Sequence, residues 1–219
     1  MLERAPVNPR KLLIGLGLAA GVAGLVLQFV ISMQVYLAAL RDIPGALGTF
    51  FTFYTILTNI ALVLVYLSEI LSTPRLELFR RPVTRGMLAA SIALVSLYVF
   101  IVLRHLYTLT GLFQLADTLL HYVCPLLYLL WWAIASPHGQ LRWRDLPRML
   151  APTMLYFVAI MLRGVWVKEY PYPFMSAGPD GYGPVLLNTA YITLGLAALC
   201  AVVIAIDHAL TRNWNVVHD

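Results

Sequence analysis

An aspartate and a histidine four residues apart, Asp117 and His121, are the residue types and spacing best suited to chemistry. They lie at the start of an apolar segment that continues Leu-Leu-Tyr-Leu-Leu-Trp-Trp from Leu126. On an α-helix, residues at this spacing share one face. A carboxylate that holds one ring nitrogen of an imidazole leaves the other nitrogen free to act as a base. Inside a bilayer, both side chains must point into protein or a wet cavity, so the pair is a candidate functional centre.

The composition indicates an integral membrane protein. The chain has 219 residues, of which 61% are hydrophobic and 11% charged, whereas a soluble domain carries roughly 25% charged residues. The net charge of +5 is typical of basic loops at a membrane rather than of a nucleic-acid partner. Both cysteines, Cys124 and Cys200, lie in apolar segments, and the histidines other than His121 are dispersed. We therefore expect no disulfide framework, no metal site and no cofactor.

Six apolar segments are long enough to cross a hydrocarbon core of about 20 residues. We predict helices near 12–38, 49–71, 86–108, 115–135, 149–168 and 185–207. Proline and glycine mark the breaks between them. The connections are short, so residues 1–219 are predicted to form a single domain, an all-α bundle of six transmembrane helices.

The distribution of lysine and arginine predicts the orientation of this bundle. One face carries eleven basic residues: Arg4, Arg10, Lys11, Arg75, Arg80, Arg81, Arg85, Arg142, Arg144, Arg148 and Arg212. The opposite face carries four: Arg41, Arg104, Arg163 and Lys168. The positive-inside rule therefore predicts that both termini are cytoplasmic. We expect the protein in a membrane, and in a bacterium this would be the cytoplasmic membrane.

The orientation brings polar groups from several segments to the outer half of the bundle, while the inner half is expected to be almost purely apolar. The polar groups are Thr55 and Asn59 in the second segment, His121 in the fourth, and Arg104, Arg163 and Asn188 in the others. Simpler roles exist for each type. A membrane threonine often bonds to its own helix, an arginine near a helix end extends to the interface, and an aspartate favours a helix N-terminus.

Three stretches resemble one known family. Thr52-Phe-Tyr-Thr-Ile-Leu-Thr-Asn59, His121-Tyr-Val-Cys-Pro125 and Tyr170-Pro-Tyr-Pro-Phe174 are similar to the androgen-induced and androgen-dependent membrane protein family, with the strongest similarity to its bacterial six-helix relatives. The resemblance implies an intramembrane hydrolase of fatty acid esters of hydroxy fatty acids. It assigns the catalytic threonine to Thr55 and the histidine to His121. Thr52 and Thr58 are alternative registers for the threonine.

The chemistry of such a site can be stated from the residue types. A threonine hydroxyl needs a base and a group that stabilises the oxyanion. His121 is a candidate base, oriented by Asp117 as in a hydrolase triad. Asn59, Arg104 and Arg163 are candidates to face the oxyanion or, for an arginine, to bind a lipid carboxylate.

Two classes of function therefore remain open. The first is a lipid-ester hydrolase that uses Thr55 and His121 on a membrane lipid or fatty acid ester. The second is a small transporter or lipid-binding protein in which Asp117 and His121 relay a proton or form a binding site. The chain has no evident internal repeat and no matching pair of broken helices, which argues against transport. A segment rich in proline and tyrosine, 170–174, is predicted to cap a cavity mouth.

Overall fold

The computed structural model describes residues 8–106, 108–179 and 181–218, with side chains described as far as Thr211. Arg4 and the side chain of Arg212, which contribute to the predicted basic face, lie outside this part. Within it, the secondary structure is helical apart from one isolated bridge between Gly178 and Gly181.

The helices follow one another along the chain with short connections. Their bounds are α1 Pro9–Ala38, α2 Ile43–Phe50, α3 Tyr54–Ile70, α4 Glu77–Arg80, α5 Pro82–Ile101, α6 Gly111–Thr118, α7 Cys124–Ala135, α8 Leu146–Val167 and α9 Gly183–His218. A π-helical turn, Leu119–Val123, joins α6 to α7. Short 3₁₀ turns follow α5 at Leu103–His105 and precede α9 at Pro173–Met175.

Five helical stretches within the described residues are long and apolar enough to cross a membrane. They are Pro9–Ala38, Pro82–His105, Gly111–Ala135, Trp143–Val167 and Gly183–Thr211. A sixth is possible if α2 and α3, which are bent by 74° at the break between them, count as one span. The all-helical membrane architecture expected from composition is therefore present.

The predicted second helix, 49–71, is wrong at its start. The helix breaks after Phe50, and α3 begins at Tyr54. The break falls in a run of threonine and aromatic residues, which have low helix propensity. Thr52 bonds its own hydroxyl to the Thr49 carbonyl at 2.6 Å, and Phe53 is extended (φ −76°, ψ 122°).

Two other helices begin earlier in the structure than predicted. The predicted third helix, 86–108, begins earlier, at Pro82, and its α-helical part ends at Ile101. Proline at a first helical turn is favoured because its missing N–H would have no partner there. The predicted fourth helix, 115–135, begins at Gly111.

The core lies between α3, α5, α7 and α9. Its largest fully buried side chains include Tyr66, Tyr128, Trp131 and Leu196. Helix α1 packs on this core through glycines, and a Cβ atom at Gly17 would lie 2.2 Å from the Tyr66 ring. Small residues on a membrane helix allow such close approach.

The end of the bundle opposite Thr55 is not purely apolar, which corrects the expectation for the inner half. Arg85 is 7% exposed and pairs with Glu69. Arg10 contacts the other oxygen of the same carboxylate at 2.5 Å. The Arg85 guanidinium also lies 5.5 Å from the centroid of the Trp131 ring. Glu69, an acidic residue inside an apolar segment, was the sequence signal for this ion pair.

Candidate active site

Thr55 is the second residue of α3, directly after the break at residues 51–53. The first N–H groups of a helix have no partner within it, and here one is satisfied from a distant loop. The backbone N–H of Tyr54 donates to the Tyr172 hydroxyl at 3.0 Å. The break therefore places Thr55 at an open helix N-terminus rather than within a continuous helix.

His121 lies in the middle of the π-helical turn Leu119–Val123. Proline has no N–H, so Pro125 cannot donate to the His121 carbonyl, the bond that an α-helix would need at this point. Single π-turns of this kind are frequent at functional sites. The turn is tightly packed, since a Cβ atom at Gly24 of α1 would lie 2.9 Å from Leu120.

Asp117, His121 and Thr55 form a continuous chain of hydrogen bonds. Nδ1 of His121 lies 2.8 Å from Oδ1 of Asp117, and Nε2 lies 3.2 Å from the Thr55 hydroxyl oxygen. In a neutral imidazole whose Nδ1–H donates to the carboxylate, Nε2 is the nitrogen that can accept the Thr55 proton. The side chains of His121 and Asp117 are 18% and 26% exposed. An imidazole placed in this way can activate a hydroxyl group as a nucleophile.

The hydroxyl groups of the two alternative threonines, Thr52 and Thr58, bond to backbone carbonyls. The Thr52 hydroxyl donates to the Thr49 carbonyl, and the Thr58 hydroxyl donates to the Tyr54 carbonyl at 2.8 Å. Both side chains are buried, at 3% and 4% exposure. Among these three threonines, the structure brings Thr55 to the imidazole.

Asn59 is fully buried and joins the two halves of the site. Its amide nitrogen donates to the Thr55 carbonyl at 2.9 Å and to the Leu120 carbonyl at 3.2 Å. The second bond satisfies a backbone carbonyl of the π-turn. Asn59 therefore holds α3 and the π-turn in register, and its two donors are both used.

The other three predicted site residues lie away from this chain of bonds. Arg104 is exposed, donates to His105 at 3.2 Å and stacks on Phe100. Arg163 contacts the Thr49 hydroxyl and the Glu169 carbonyl, both at 3.5 Å. Asn188 is exposed on α9 and borders a groove between α5 and α9.

Sequence reasoning missed the role of Tyr172, which lies in the loop that precedes α9. Burial raises the pKa of Tyr172 to about 12, so its hydroxyl stays protonated over the ordinary range of pH. The hydroxyl oxygen accepts from the backbone N–H of Tyr54, and a hydroxyl group that accepts a hydrogen bond still carries its own proton as a donor. The tyrosine and proline pattern at 170–174 predicted a cap but gave no indication of which tyrosine would reach Thr55.

Two internal spaces meet at Thr55. The first, which we call the polar cavity, has a volume of about 360 Å³ and is bordered by the side chains of Asp117 and His121. A polar stripe on α1, formed by Gln28, Ser32 and Tyr36, also borders it. These residues are four apart, so they share one helix face, a pattern that sequence reasoning also missed.

The second space, which we call the slot, has a volume of about 80 Å³ and extends from Thr55 between α5, α8 and α9. Thr55, Tyr172 and Leu103 border both the slot and the polar cavity. Residues 171–173, which belong to the predicted cap, border the polar cavity.

Comparison of this chain with models of protein families, with curated proteins and with solved structures finds no match.

Proposed function

We propose that this protein is an intramembrane hydrolase of lipid esters in which Thr55 is the nucleophile and His121 the general base. The observation that carries the proposal is the chain of hydrogen bonds from Asp117 through His121 to Thr55, at 2.8 Å and 3.2 Å. The chain opens onto a cavity of about 360 Å³. The resemblance to ester-hydrolysing membrane proteins supports the same reaction.

The reaction follows the general course of acyl transfer through a covalent intermediate. The Thr55 oxygen bonds to the ester carbonyl carbon while its proton passes to Nε2 of His121. The tetrahedral oxyanion collapses, the bond to the alcohol oxygen breaks, and the alcohol takes the proton from His121. Water, activated by the same imidazole, then attacks acyl-Thr55, which releases the carboxylic acid and restores the hydroxyl.

The Tyr172 hydroxyl is the proposed oxyanion donor, together with the N-terminus of α3. The hydroxyl is bonded to the N–H of Tyr54, the residue next to the nucleophile. A helix N-terminus carries partial positive charge, so developing negative charge beside Thr55 is favoured there. This assignment replaces Asn59, whose donors are used by backbone carbonyls, and Arg104 and Arg163, which contact other groups.

The finer topology belongs to the same proposal. We place six spans in the membrane, with α2 and α3 as one broken span, and both termini in the cytoplasm. In a bacterial cell the membrane would be the cytoplasmic one. Eleven of the fifteen basic residues on one face support this orientation. The site would then lie in the outer half of the bilayer.

The deciding experiment compares Thr55→Ala, His121→Ala and wild type, purified in detergent, on a long-chain p-nitrophenyl ester and on labelling by a fluorophosphonate probe. Each change should abolish turnover, and Thr55→Ala should abolish labelling. Thr58→Ala is the matched control, because Thr58 bonds only to its own helix. The double variant should be no slower than either single variant, since members of one catalytic unit fail together.

Asp117→Asn separates the hydrolase from a proton relay. If Asp117 only orients the imidazole, its amide should reduce kcat while leaving measurable turnover. A relay or binding site built on Asp117 and His121 predicts the opposite pattern, in which both changes abolish activity and Thr55→Ala behaves like wild type. Full esterase activity in Thr55→Ala with Thr52 and Thr58 also replaced would exclude the proposed mechanism.

A further inference from the structure

The surface of the slot beside Thr55 is mainly apolar, although several hydroxyl groups border it. The Tyr54 hydroxyl bonds to Thr153 at 2.7 Å, and the Tyr156 hydroxyl donates to the Thr52 carbonyl at 2.7 Å. Thr189 and Thr193 each donate to a carbonyl of their own helix, also at 2.7 Å. Apart from one proton of the Tyr54–Thr153 pair, these hydroxyl protons are used within the protein. Most of the border of the slot is therefore formed by methyl, methylene and ring carbon atoms.

Four side chains form a shared wall between the slot and a groove on the outside of the bundle. A groove of about 300 Å³ runs along the outside between α5 and α9, and we call it the lateral groove. Leu94, Tyr98, Phe174 and Ile192 border both the slot and the lateral groove. Slot and groove are therefore two sides of one layer of side chains.

Two aromatic contacts connect this wall to the catalytic threonine. The rings of Tyr98 and Phe174 meet edge to face, with centroids 5.9 Å apart. Phe174 in turn stacks on Tyr172, with centroids 5.6 Å apart and planes 16° apart. Because Tyr172 and Phe174 belong to the same loop, a movement of this loop changes the wall and the surroundings of Thr55 together.

The polar cavity on the other side of Thr55 has a different character. Its polar border is formed by Gln28, Ser32, Tyr36 and Asp117, together with the catalytic groups. None of the described residues that border it is a lysine or an arginine. The guanidinium of Arg41, which lies beside Tyr36, is held by both oxygens of Glu169 at 2.6 Å and 2.8 Å. An anion in this cavity would meet the Asp117 carboxylate and no lysine or arginine among the described residues that border it.

From this asymmetry we propose that the slot binds the acyl chain of the ester, which enters from the lipid through the lateral groove. The polar cavity takes an uncharged alcohol portion that carries hydroxyl groups. The substrate class is therefore a neutral ester of a long-chain fatty acid. This inference rests on the proposed hydrolase and narrows it, because an ester whose alcohol portion carries a free carboxylate does not suit the cavity.

The acyl subsite is tested by filling the slot. Met154 borders it, and the next residue, Leu155, is 70% exposed on the outer face of α8. Met154→Trp should lower kcat/KM for p-nitrophenyl palmitate about tenfold or more relative to p-nitrophenyl butyrate, a change typical of lost pocket contacts. Leu155→Trp, the matched control, should leave the ratio unchanged. An unchanged ratio in Met154→Trp would overturn the acyl assignment.

A second measurement does not depend on turnover. Thr55→Ala protein is irradiated with a palmitoyl glycerol ester that carries a diazirine in its chain, and the modified residues are mapped by mass spectrometry. The expected sites are Met154, Phe157 and Ile192, and Met154→Trp should reduce them. Labelling only on the outer face of α8 or in the polar cavity would overturn the slot. If Met154→Trp does not fold, the labelling pattern of Thr55→Ala alone tests the acyl-chain assignment.

The alcohol portion is tested by comparing monopalmitoylglycerol with the palmitate ester of a hydroxystearic acid. Wild type should prefer the uncharged ester, and Gln28→Arg should shift the preference toward the ester that bears a carboxylate. A wild-type preference for the charged ester would overturn this half of the proposal. If neither ester nor the p-nitrophenyl esters are hydrolysed while the slot is labelled, the hydrolase fails and the acyl-chain site stands.

Discussion

At the scale of single residues, the site depends on one imidazole with a different partner on each ring nitrogen. Asp117 accepts a hydrogen bond from Nδ1–H, and the Thr55 hydroxyl faces Nε2. The 4-residue spacing of Asp117 and His121 was sufficient to predict the first contact, because helix geometry fixes it. The second contact joins residues 66 positions apart, and only the resemblance indicated which threonine would supply it.

Tyr172 shows why part of the site could not be predicted from the sequence. Its hydroxyl meets the Tyr54 N–H across 118 residues, from a loop whose path no local pattern specifies. The oxyanion candidates drawn from the sequence were arginines and an asparagine, chosen for their chemistry and not for their position. The tyrosine reaches the site because the break at 51–53 exposes the start of α3.

Tyr172→Phe tests the proposed oxyanion donor. The phenylalanine keeps the ring that stacks on Phe174 and removes the hydroxyl. We expect kcat to fall about 100-fold, the cost typical of losing one such donor, with KM little changed. Tyr170→Phe, in the same loop, is the control and should retain wild-type kcat. Equal kcat in Tyr172→Phe and wild type would show that Tyr172 is not the oxyanion donor.

At the scale of secondary structure, both proposed catalytic groups lie where a helix departs from regular geometry. Thr55 follows a broken segment and His121 lies in a π-turn. Apolar length predicted that helices would occur here, but averaging over a window hides a break of three residues. Two sequence features indicated these irregularities. Pro125 lacks the N–H that a regular helix would use, and the run of threonine and aromatic residues at 49–55 has low helix propensity.

The close approach of α1 to α3 is the element contact most sensitive to a small change. A Cβ atom at Gly17 would lie 2.2 Å from the ring of Tyr66, which is 2% exposed and has little room to move. Gly17→Ala should therefore destabilise the protein by about 1–3 kcal/mol, as overpacking usually does, measured as a lower Tm in detergent.

Gly15→Ala is the matched control for this helix contact. Among the described residues, no atom beyond the adjacent residues and backbone of α1 lies within 4 Å of a Cβ atom at Gly15. Alanine also favours a helix over glycine by up to about 1 kcal/mol. The Tm of Gly15→Ala should stay equal or rise. A similar loss of Tm in both variants would mean that α1 does not pack on Tyr66 as described.

An ion pair joins the start of α2 to the loop after α8. Arg41 binds both oxygens of Glu169, and these bonds lower the pKa of the Glu169 carboxyl below its ordinary value of 4.5. A lowered pKa means that the folded state binds this proton less well than the unfolded state. The contribution is therefore complete above pH 4.5 and is lost as the pH falls through the lower folded value.

Glu169→Gln tests this linkage. Between neutral pH and pH 4.5 the variant should have a slightly lower Tm than wild type, because the pair is partly exposed and such pairs contribute little. Below pH 4.5 the two Tm curves should converge, as wild type loses the same contribution. A constant difference down to acid pH would show that the carboxylate does not pair with Arg41.

At the scale of the whole molecule, the two ends of the bundle differ in charge. Arg10 and Arg85 share Glu69 at one end, and Arg41 pairs with Glu169 at the other. The composition predicted a membrane bundle because so few charges cannot cover a soluble surface. It did not predict the buried pair of Arg85 and Glu69, since arginines near segment ends were assigned to loops.

The orientation of the whole bundle in the membrane is predicted by its basic residues. Eleven basic residues lie in the N-terminus, the two loops and the C-terminus assigned to one face, against four on the other. The positive-inside rule then requires both termini in the cytoplasm. In a bacterial host, alkaline phosphatase fused after Asp219 should be inactive and green fluorescent protein should fluoresce. A phosphatase fusion truncated after Lys168 should be active. The reverse pattern would put Thr55 and its cavity in the inner half of the bilayer, and a lipid ester would then have to enter from the cytoplasmic leaflet.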